Sequence, residues 1–135
     1  MKSIPTIQKY MTPSPHTIGA EQSLKKAHSV MREFKIRHLP VLKGGKLIGI
    51  LTDRDLALVE TLKDVNPELV PVEDACTAEP YLVSPDSKLH EVCLEMARHK
   101  FGSVLVVDNH KLVGVFTWID ALNAFSEILE TRLKV

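Results

Sequence analysis

The sequence predicts a mixed α/β (α+β) fold made of two copies of one β-α-β-β-α unit. Three observations lead to this prediction. Residues 7–56 align with residues 72–121 without a gap, so the chain repeats itself after 65 positions (72 − 7). Strand-type and helix-type hydrophobic periodicity alternate in the same order in both copies. The run Gly-Ile-Leu-Thr-Asp-Arg-Asp at 49–55 returns as Gly-Val-Phe-Thr-Trp-Ile-Asp at 114–120.

Identical residues are spread along the whole repeat. The identical pairs are Thr12/Thr77, Pro15/Pro80, Leu24/Leu89, Met31/Met96, Lys35/Lys100, Val41/Val106, Lys46/Lys111, Leu47/Leu112, Gly49/Gly114, Thr52/Thr117 and Asp55/Asp120. We therefore divide the chain into a first unit, residues 1–66 with an N-terminal segment, and a second unit, residues 67–135. A unit of about 60 residues buries only about 60% of its unfolded surface. The two units are therefore expected to share one core as a single module.

Each unit begins with a short extended piece, at 15–18 and at 80–83, and continues into an amphipathic helix. The apolar residues recur at helical spacing. They are Leu24, Ala27, Val30, Met31 and Phe34 in the first unit, and Leu89, Val92, Cys93 and Met96 in the second. Pro85 followed by Asp86 or Ser87 as a cap predicts where the helix of the second unit begins.

Two strands joined by a tight turn follow each helix. The turn of the first unit is predicted at Gly44-Gly45, and that of the second unit at Asp108-Asn109-His110. The threonine of the repeated motif then begins a second helix. In the first unit this helix is expected to end before Pro67.

The composition is that of a globular chain, with 44% apolar and 25% charged residues. No apolar run approaches the roughly 18 residues that span a bilayer, and no secretory signal is recognisable at the start. Two cysteines are too few for a disulfide framework, so we expect a cytoplasmic protein without a membrane partner. A formal net charge of zero disfavours nucleic-acid binding.

Charge is nevertheless unequal between the halves of the sequence. Residues 1–65 carry 11 basic and 6 acidic side chains, and residues 66–135 carry 6 basic and 11 acidic ones. Such an asymmetry is a hint about partners. It favours a head-to-tail homodimer in which the first repeat of one chain faces the second repeat of the other.

The repeated motif has two interpretations. As structure, Thr52 and Asp55 form a capping box at the start of a helix, where an acidic residue also suits the helix dipole. As a binding site, a helix N-terminus after a glycine-containing strand offers N–H groups to phosphate, and a fixed aspartate can accept hydrogen bonds from a ribose diol. Gly49 and Gly114 lie inside predicted strands, where glycine often marks close approach by a ligand or by another backbone.

The sequence also resembles a known family. The tandem units, the opening Met11-Thr12-Pro13, the strand at 37–42 and the doubled motif resemble the cystathionine-β-synthase (CBS) domain family, in which two units form a CBS pair or Bateman module. This resemblance implies a pseudo-two-fold module with two clefts between the repeats. Such modules commonly bind AMP, ADP, ATP, S-adenosylmethionine or NAD(H), and they are regulatory and usually not enzymes.

The resemblance also implies roles for individual residues. Asp55 and Asp120 would bind ribose hydroxyls, and Thr52 and Thr117 would face phosphate. The residues that would flank base and phosphates are Arg37, His38, Leu39, Pro40, Gly102, Ser103 and Val104. Those that would offer backbone groups to the adenine from the opposite repeat are Thr17, Ile18, Leu82 and Val83. Lys35, Arg37, His38 and Arg54 lie around the first motif, where the second unit has Lys100, Gly102, Ser103 and Ile119. The first site is therefore expected to prefer phosphate.

Some features fit the family less well or fit another function. Trp118, inside the second motif, is expected to line a site or to cover core. The C-terminal helix is apolar beyond a single stripe, which indicates either deeper burial within the monomer or pairing, together with the second helix of the first unit, with a second copy. The residues expected in that homodimer are Leu56, Val59, Leu62, Leu122, Phe125 and Leu129. An interaction module with vestigial clefts is therefore the alternative function.

No residue pattern points to an enzyme or to a metal site. The hydrolase and P-loop motifs are missing from the sequence. His90 and Cys93 lie three apart on one predicted helix, but two ligands do not make a zinc site. Cys76 has no evident activating base nearby in the sequence.

Overall fold

The computed structural model describes residues 3–133 of the chain. These residues form five α-helices, eight strands and one 3₁₀ turn, so the predicted mixed α+β fold is confirmed. The elements in chain order are α1 (Ile7–Tyr10), β1 (Thr12–Pro13), β2 (Ile18–Gly19), α2 (Leu24–Phe34), β3 (His38–Lys43), β4 (Lys46–Thr52), α3 (Asp53–Glu60), the 3₁₀ turn Val72–Asp74, β5 (Thr77–Ala78), β6 (Leu82–Val83), α4 (Leu89–His99), β7 (Ser103–Asp108), β8 (Lys111–Thr117) and α5 (Trp118–Leu133).

The described residues fall into two compact units, each with its own core. We call His16–Pro80 the continuous unit, and residues 3–15 together with 81–133 the split unit. These units do not coincide with the sequence repeats divided after residue 66. The opening segment, residues 3–15, packs with the second repeat, where Ile7 is fully buried beside Leu89 and Phe116. The segment before Pro80 packs with the first repeat, where Val72 is fully buried.

This exchange of segments removes the charge imbalance between the halves. The continuous unit carries 9 basic and 10 acidic side chains, and the described part of the split unit carries 6 basic and 7 acidic ones. The acidic residues Glu68, Glu73, Asp74 and Glu79 lie in the segment that joins the first repeat. The electrostatic reason for a head-to-tail dimer is therefore wrong, because the halves of the sequence are not the units of the structure.

Each unit contains one four-stranded mixed sheet. The strand order is β2-β3-β4-β5 in the continuous unit and β1-β8-β7-β6 in the split unit. The central pairs β3–β4 and β7–β8 are antiparallel hairpins, whereas β2 and β6 join them in parallel. The short outer strands β5 and β1 pair antiparallel with β4 and β8.

Both predicted hairpin turns are present. Gly44 and Gly45 have φ values of 57° and 79°, and Asn109 and His110 have 50° and 65°. Two consecutive residues with positive φ form the type I′ turn that matches the twist of a hairpin. In the second unit the turn is therefore Asn109-His110, since Asp108 is still paired with Lys111 at the end of the strands.

The predicted helices form, with two differences, one at the start of α4 and one at Phe34. Ser23 caps α2 by accepting from the backbone N–H of Lys26 at 3.1 Å. The predicted cap of α4 at Asp86 or Ser87 is wrong, because the N-cap position is Lys88 and Ser87 Oγ accepts instead from the Ser84 N–H. Phe34 is 44% exposed and stacks on His16 rather than joining the core.

The cores explain the remaining apolar periodicity. Leu24, Ala27 and Met31 of α2 pack on β3 and β4, and Leu89, Val92 and Met96 of α4 pack on β7 and β8. Among residues 3–133, no helix is both long and apolar enough to cross a membrane.

Candidate functional site

The first motif forms a complete capping box at the start of α3. Thr52 ends β4 and is the N-cap residue, and its Oγ1 accepts from the Asp55 N–H at 3.1 Å. Asp55 Oδ2 accepts in return from the Thr52 N–H at 2.9 Å. The structural interpretation of the motif is therefore realised. The box uses one carboxylate oxygen of Asp55, and no hydrogen bond from another residue of 3–133 reaches Oδ1.

The second motif bonds differently although its residue types are the same. Asp120 Oδ2 accepts from the Thr117 N–H at 2.9 Å and from the Thr117 hydroxyl at 3.4 Å. Asp120 Oδ1 accepts from the hydroxyl of Thr12 at 3.1 Å. Both oxygens of Asp120 are thus occupied, and the hydroxyl proton of Thr117 is already used inside the motif.

The glycines of the two motifs lie close to other segments of the same unit. A Cβ on Gly49 would lie 2.5 Å from the carbonyl oxygen of Thr77 and 3.0 Å from the sulfur of Cys76. A Cβ on Gly114 would meet the side chain of Met11. Close approach by another backbone, one of the two expected causes, is therefore present at Gly49, whereas the close neighbour of Gly114 is a side chain. A ligand is not needed to explain either glycine.

Several predicted site residues surround the box in the continuous unit. His38 lies opposite Thr52 in the β3–β4 pair, and the Arg37 carbonyl accepts from the Asp53 N–H at 3.0 Å. The Arg37 side chain is 79% exposed and lies 4.0 Å from the Asp53 carboxylate. Arg54 is also exposed. The backbone therefore brings Arg37, His38 and Thr52 together.

Lys35 has a structural role that the sequence did not suggest. It is the C-cap of α2 with a left-handed backbone, φ 54°, and Lys100 ends α4 in the same way with φ 58°. A basic residue at this place complements the negative end of the helix dipole. The identity of Lys35 and Lys100 in the repeat is thus explained by capping.

Other predicted site residues belong to the cores. The side chains of Ile18, Leu39, Pro40 and Val104 are buried, so these residues can offer only backbone groups to a ligand. Thr17 and Leu82 are exposed, while Val83, Gly102 and Ser103 are half-buried.

In the split unit, the same backbone arrangement surrounds the second motif. Ser103 lies opposite Thr117 in the β7–β8 pair. The Gly102 carbonyl accepts from the Trp118 N–H at 3.3 Å, as the Arg37 carbonyl does from Asp53. The second motif is therefore built on an equivalent frame without basic side chains at these positions.

The Trp118 side chain neither enters the core nor takes part in the hydrogen bonds between Thr117 and Asp120. Its side chain is 61% exposed, and its indole N–H donates to the Phe101 carbonyl at 2.9 Å. It lines a groove of about 310 Å³ between α4 and α5, here called the α4–α5 groove, whose residues are Cys93, Met96, Ala97, Lys100, Trp118, Ala121 and Leu122.

The helix residues expected in a homodimer divide into two groups. Leu62, Leu122 and Phe125 are 53%, 63% and 61% exposed. Val59 and Leu129 are half-buried. Leu56 is only 4% exposed and belongs to the core of the continuous unit, so its assignment to an interface is wrong.

Two further groups escaped the sequence reasoning. Thr12, which bonds Asp120, could have been suspected from its identity with Thr77 in the repeat. His28 on α2 lies 2.6 Å from the Glu60 carboxylate of α3 and 3.2 Å from the Arg32 guanidinium, and nothing in its own repeat position, which is Cys93, suggested this.

Both cysteines are free, and burial raises the pKa of both thiols. At Cys76 the carboxylates of Asp55, Glu73 and Asp74 raise it further. A thiol with a raised pKa is a weak nucleophile at neutral pH.

Known proteins resemble this chain over nearly its whole length. The profile of the CBS domain matches residues 7–60 and again residues 72–127. The CBS domain-containing protein YhcV of Bacillus subtilis (strain 168) is 30% identical over 122 residues, which cover 90% of this chain and 86% of YhcV.

Two more relatives differ in what surrounds the shared part. Inosine-5'-monophosphate dehydrogenase of Korarchaeum cryptofilum (strain OPF8) is 33% identical over 97% of this chain, but the match covers only 26% of that protein. The crystal structure of CBSX2 in complex with AMP superposes with a TM-score of 0.79 at 26% identity, covering 91% of this chain and 97% of that one. With two matches to the CBS domain, a relative of similar length and a shared fold, the chain belongs to the CBS domain family.

Proposed function

We propose that the chain is a regulatory module that binds an adenosine nucleotide, AMP, ADP or ATP, at its threonine–aspartate boxes. S-adenosylmethionine and NAD(H) are the other adenosyl ligands within this proposal. The observation that carries it is the Asp55 carboxylate, which is held by its own capping box with one oxygen left to accept. The AMP complex of the relative CBSX2 supports the ligand class.

The box of the continuous unit has the groups that a nucleotide requires. Asp55 Oδ1 accepts a hydrogen bond from a ribose hydroxyl, and such a charge-assisted bond is stronger than a neutral one. The Thr52 hydroxyl accepts from Asp55 N–H, and its proton remains available for a phosphate oxygen, because a hydroxyl has one donor besides its lone pairs. Arg37 and Arg54 supply positive charge near the same turn.

The two boxes are unequal in this proposal, and the box of the continuous unit prefers phosphate. The positions of Arg37, His38 and Arg54 are taken in the split unit by Gly102, Ser103 and Ile119. Arg37 is exposed and close to Asp53, so its contribution is smaller than that of a buried cation. The box of the split unit takes a less anionic adenosyl ligand or takes one weakly.

Calorimetric titration with AMP, ADP, ATP, NADH and S-adenosylmethionine tests the proposal. Asp55→Asn keeps an acceptor for the Thr52 N–H but removes the charge, so nucleotide affinity falls by about 1–3 kcal/mol. Asp64→Asn is the control, because Asp64 is an exposed carboxylate of the same unit outside the capping box, with no salt bridge to Arg37 among residues 3–133, and it leaves affinity nearly unchanged. Absence of binding of all five ligands at millimolar concentration contradicts the proposal.

A second function, assembly, is favoured by the exposed apolar side chains of α5. Trp118, Ile119, Leu122 and Phe125 are each 61–64% exposed. An exposed apolar patch of this kind typically marks a site of contact with another molecule. The chain therefore forms a homodimer through α5, and the exposed Leu62 of α3 is a further residue expected to contact the second copy. The α4–α5 groove is continuous with this surface through Leu122.

Sedimentation velocity at micromolar concentration tests assembly. Phe125→Glu is expected to produce monomers, because a charge would be buried in the contact. Glu127→Lys, on the same helix, is the control for a change of charge alone and keeps the dimer. A wild-type monomer at these concentrations contradicts the assembly.

The proposal also includes that the module regulates and does not catalyse, and that it acts in the cytoplasm. The match to a quarter of a dehydrogenase, and to nearly all of YhcV, agrees with a regulatory segment that exists both inside enzymes and by itself. Burial raises the pKa of both free thiols, which agrees with the absence of a catalytic thiol from this proposal.

A further inference from the structure

Thr12 reaches Asp120 because the opening segment is fixed to the split unit at both of its ends. The Ile7 N–H donates to the Ser87 carbonyl at 2.8 Å, and the Leu89 N–H donates to the Pro5 carbonyl at 3.0 Å. Farther along, Thr12 pairs with Val115 in the β1–β8 ladder. The Thr12 hydroxyl is thus held within 3.1 Å of Asp120 Oδ1, although the residues are 108 positions apart.

The continuous unit has the same residue in the same place without the same bond. Thr77 is the repeat equivalent of Thr12 and pairs with Ile50 in the β4–β5 ladder, as Thr12 does with Val115. Among residues 3–133, no hydrogen bond joins the Thr77 hydroxyl to Asp55. Two units with matching backbones therefore differ at one carboxylate oxygen, which is occupied in Asp120 and open in Asp55.

We infer that Thr12 is a built-in competitor for the ribose site at Asp120. Its hydroxyl takes one of the lone-pair directions of the carboxylate oxygen that a ribose hydroxyl would use, so a nucleotide at Asp120 competes with Thr12 for that oxygen. At Asp55, no residue of 3–133 competes in this way. This inference rests on the proposed nucleotide function and adds a specificity-determining residue from outside the motif.

The competition also gives the second motif a conformational consequence. The bond to Asp120 is a side-chain link between β1 and the motif, and β1 is only two residues long and exposed. A ligand that replaces Thr12 at Asp120 removes this link. Occupancy of the second box is thereby coupled to the opening segment, whereas occupancy of the first box has no such link to β5.

The test compares two isosteric changes in backgrounds that leave one box intact. Thr12→Val is measured in Asp55→Asn, so that only the Asp120 box binds AMP with full strength. Thr77→Val is measured in Asp120→Asn as the matched control. Because a hydrogen bond in an exposed place contributes modestly, Thr12→Val is expected to raise AMP affinity roughly three- to tenfold. Thr77→Val is expected to change affinity less than twofold.

Thr12→Ser provides the rescue variant, because it keeps the hydroxyl donor and should bind AMP as weakly as the parent. An unchanged or lower affinity in Thr12→Val, while the parent binds AMP, overturns the inference and leaves the proposed function intact. An equal rise in Thr77→Val also overturns it. If no form, including Thr12→Val, binds AMP at millimolar concentration, the inference fails, and the proposed function fails with it only if the wild-type chain also binds none of the other four ligands.

Discussion

The helix pair α2–α3 of the continuous unit and the helix pair α4–α5 of the split unit occupy equivalent places but have opposite surface chemistry. Between α2 and α3, the His28 imidazole lies between Glu60 and Arg32. The carboxylate only accepts, so Nδ1 of His28 donates to Glu60 and Nε2 accepts from Arg32. The equivalent residues between α4 and α5 are Cys93, Phe125 and Ala97, which make no such bridge.

A second difference lies beneath this surface. Leu56 fills the space between α3 and the core of its unit and is 4% exposed. Its equivalent is Ala121, which lines the α4–α5 groove together with Met96 and Trp118. Duplication thus preserved the backbone while one unit closed its helix pair with a polar bridge and the other left it open and apolar. Equivalent backbones therefore do not imply equivalent surfaces.

The largest expected effect comes from opening a groove in the continuous unit. Leu56→Ala removes a buried side chain and is expected to cost about 2–5 kcal/mol of unfolding free energy. The converse change Ala121→Leu extends a side chain into existing space and is expected to change stability by less than about 1.5 kcal/mol. Urea unfolding followed by circular dichroism measures both. A loss below about 1 kcal/mol for Leu56→Ala would show that the two helix pairs are packed alike.

The next effect distinguishes the two motif glycines. Gly49→Ala brings a methyl group against the Thr77 carbonyl, which belongs to a paired strand, and overpacking of this kind costs about 1–3 kcal/mol. Gly114→Ala meets the side chain of Met11, a flexible residue that can move, so a smaller loss is expected. The same unfolding experiment applies. Equal losses would mean that Met11 is as fixed as the Thr77 backbone.

A third measurement tests whether the groove is open to small molecules. Cys93 lines the groove, and burial raises the pKa of its thiol, so alkylation by iodoacetamide is slow at pH 7 and faster above pH 8. Ala121→Leu is expected to slow alkylation of Cys93 several-fold by filling the space beside it. Cys76, in the other unit, serves as the internal control. An unchanged rate at Cys93 would show that the thiol is reached from elsewhere.

The smallest effect concerns the polar bridge. Glu60→Gln removes the charge that faces His28, and since both side chains are about 40% exposed the expected loss is below about 1 kcal/mol. The loss should shrink further in 1 M salt, where charges are screened. Glu33→Gln, on the same helix pair, is the control. A loss that is large and independent of salt would show that the bridge is more than a surface interaction.

The repeat was sufficient to predict the β-α-β-β-α elements of each unit, but not α1, β1, β5 and the 3₁₀ turn, nor which segments pack together. Both hairpin turns and the capping box at Thr52 follow from local residue types, and all three are present. The exchange of segments could not be predicted, because Ile7 and Val72 are equivalent in the repeat and both are fully buried. Either residue fits either core by its sequence, and only packing decides which one it joins.

The candidate site shows the same limit. Thr–x–x–Asp predicts a local box, and each aspartate indeed accepts from the backbone N–H of its own threonine. The bond from Thr12 to Asp120 crosses 108 positions, so the identity of Thr12 and Thr77 in the repeat marks the residue but does not indicate its partner. The sequence does not indicate the His28 bridge either, because the equivalent residue, Cys93, is apolar.

The split unit also imposes an order on synthesis. The continuous unit has all its residues once position 80 has been made, whereas Thr12 must wait for Val115, its partner in the β1–β8 ladder. At about 5–20 residues per second, the ribosome needs roughly 5–20 seconds for those hundred or so residues. During that time Ile7, fully buried in the finished protein, has no core to enter. The Ile7 side chain of the nascent chain is therefore exposed during this time. Chaperones that bind exposed apolar side chains can act on the opening segment in this interval.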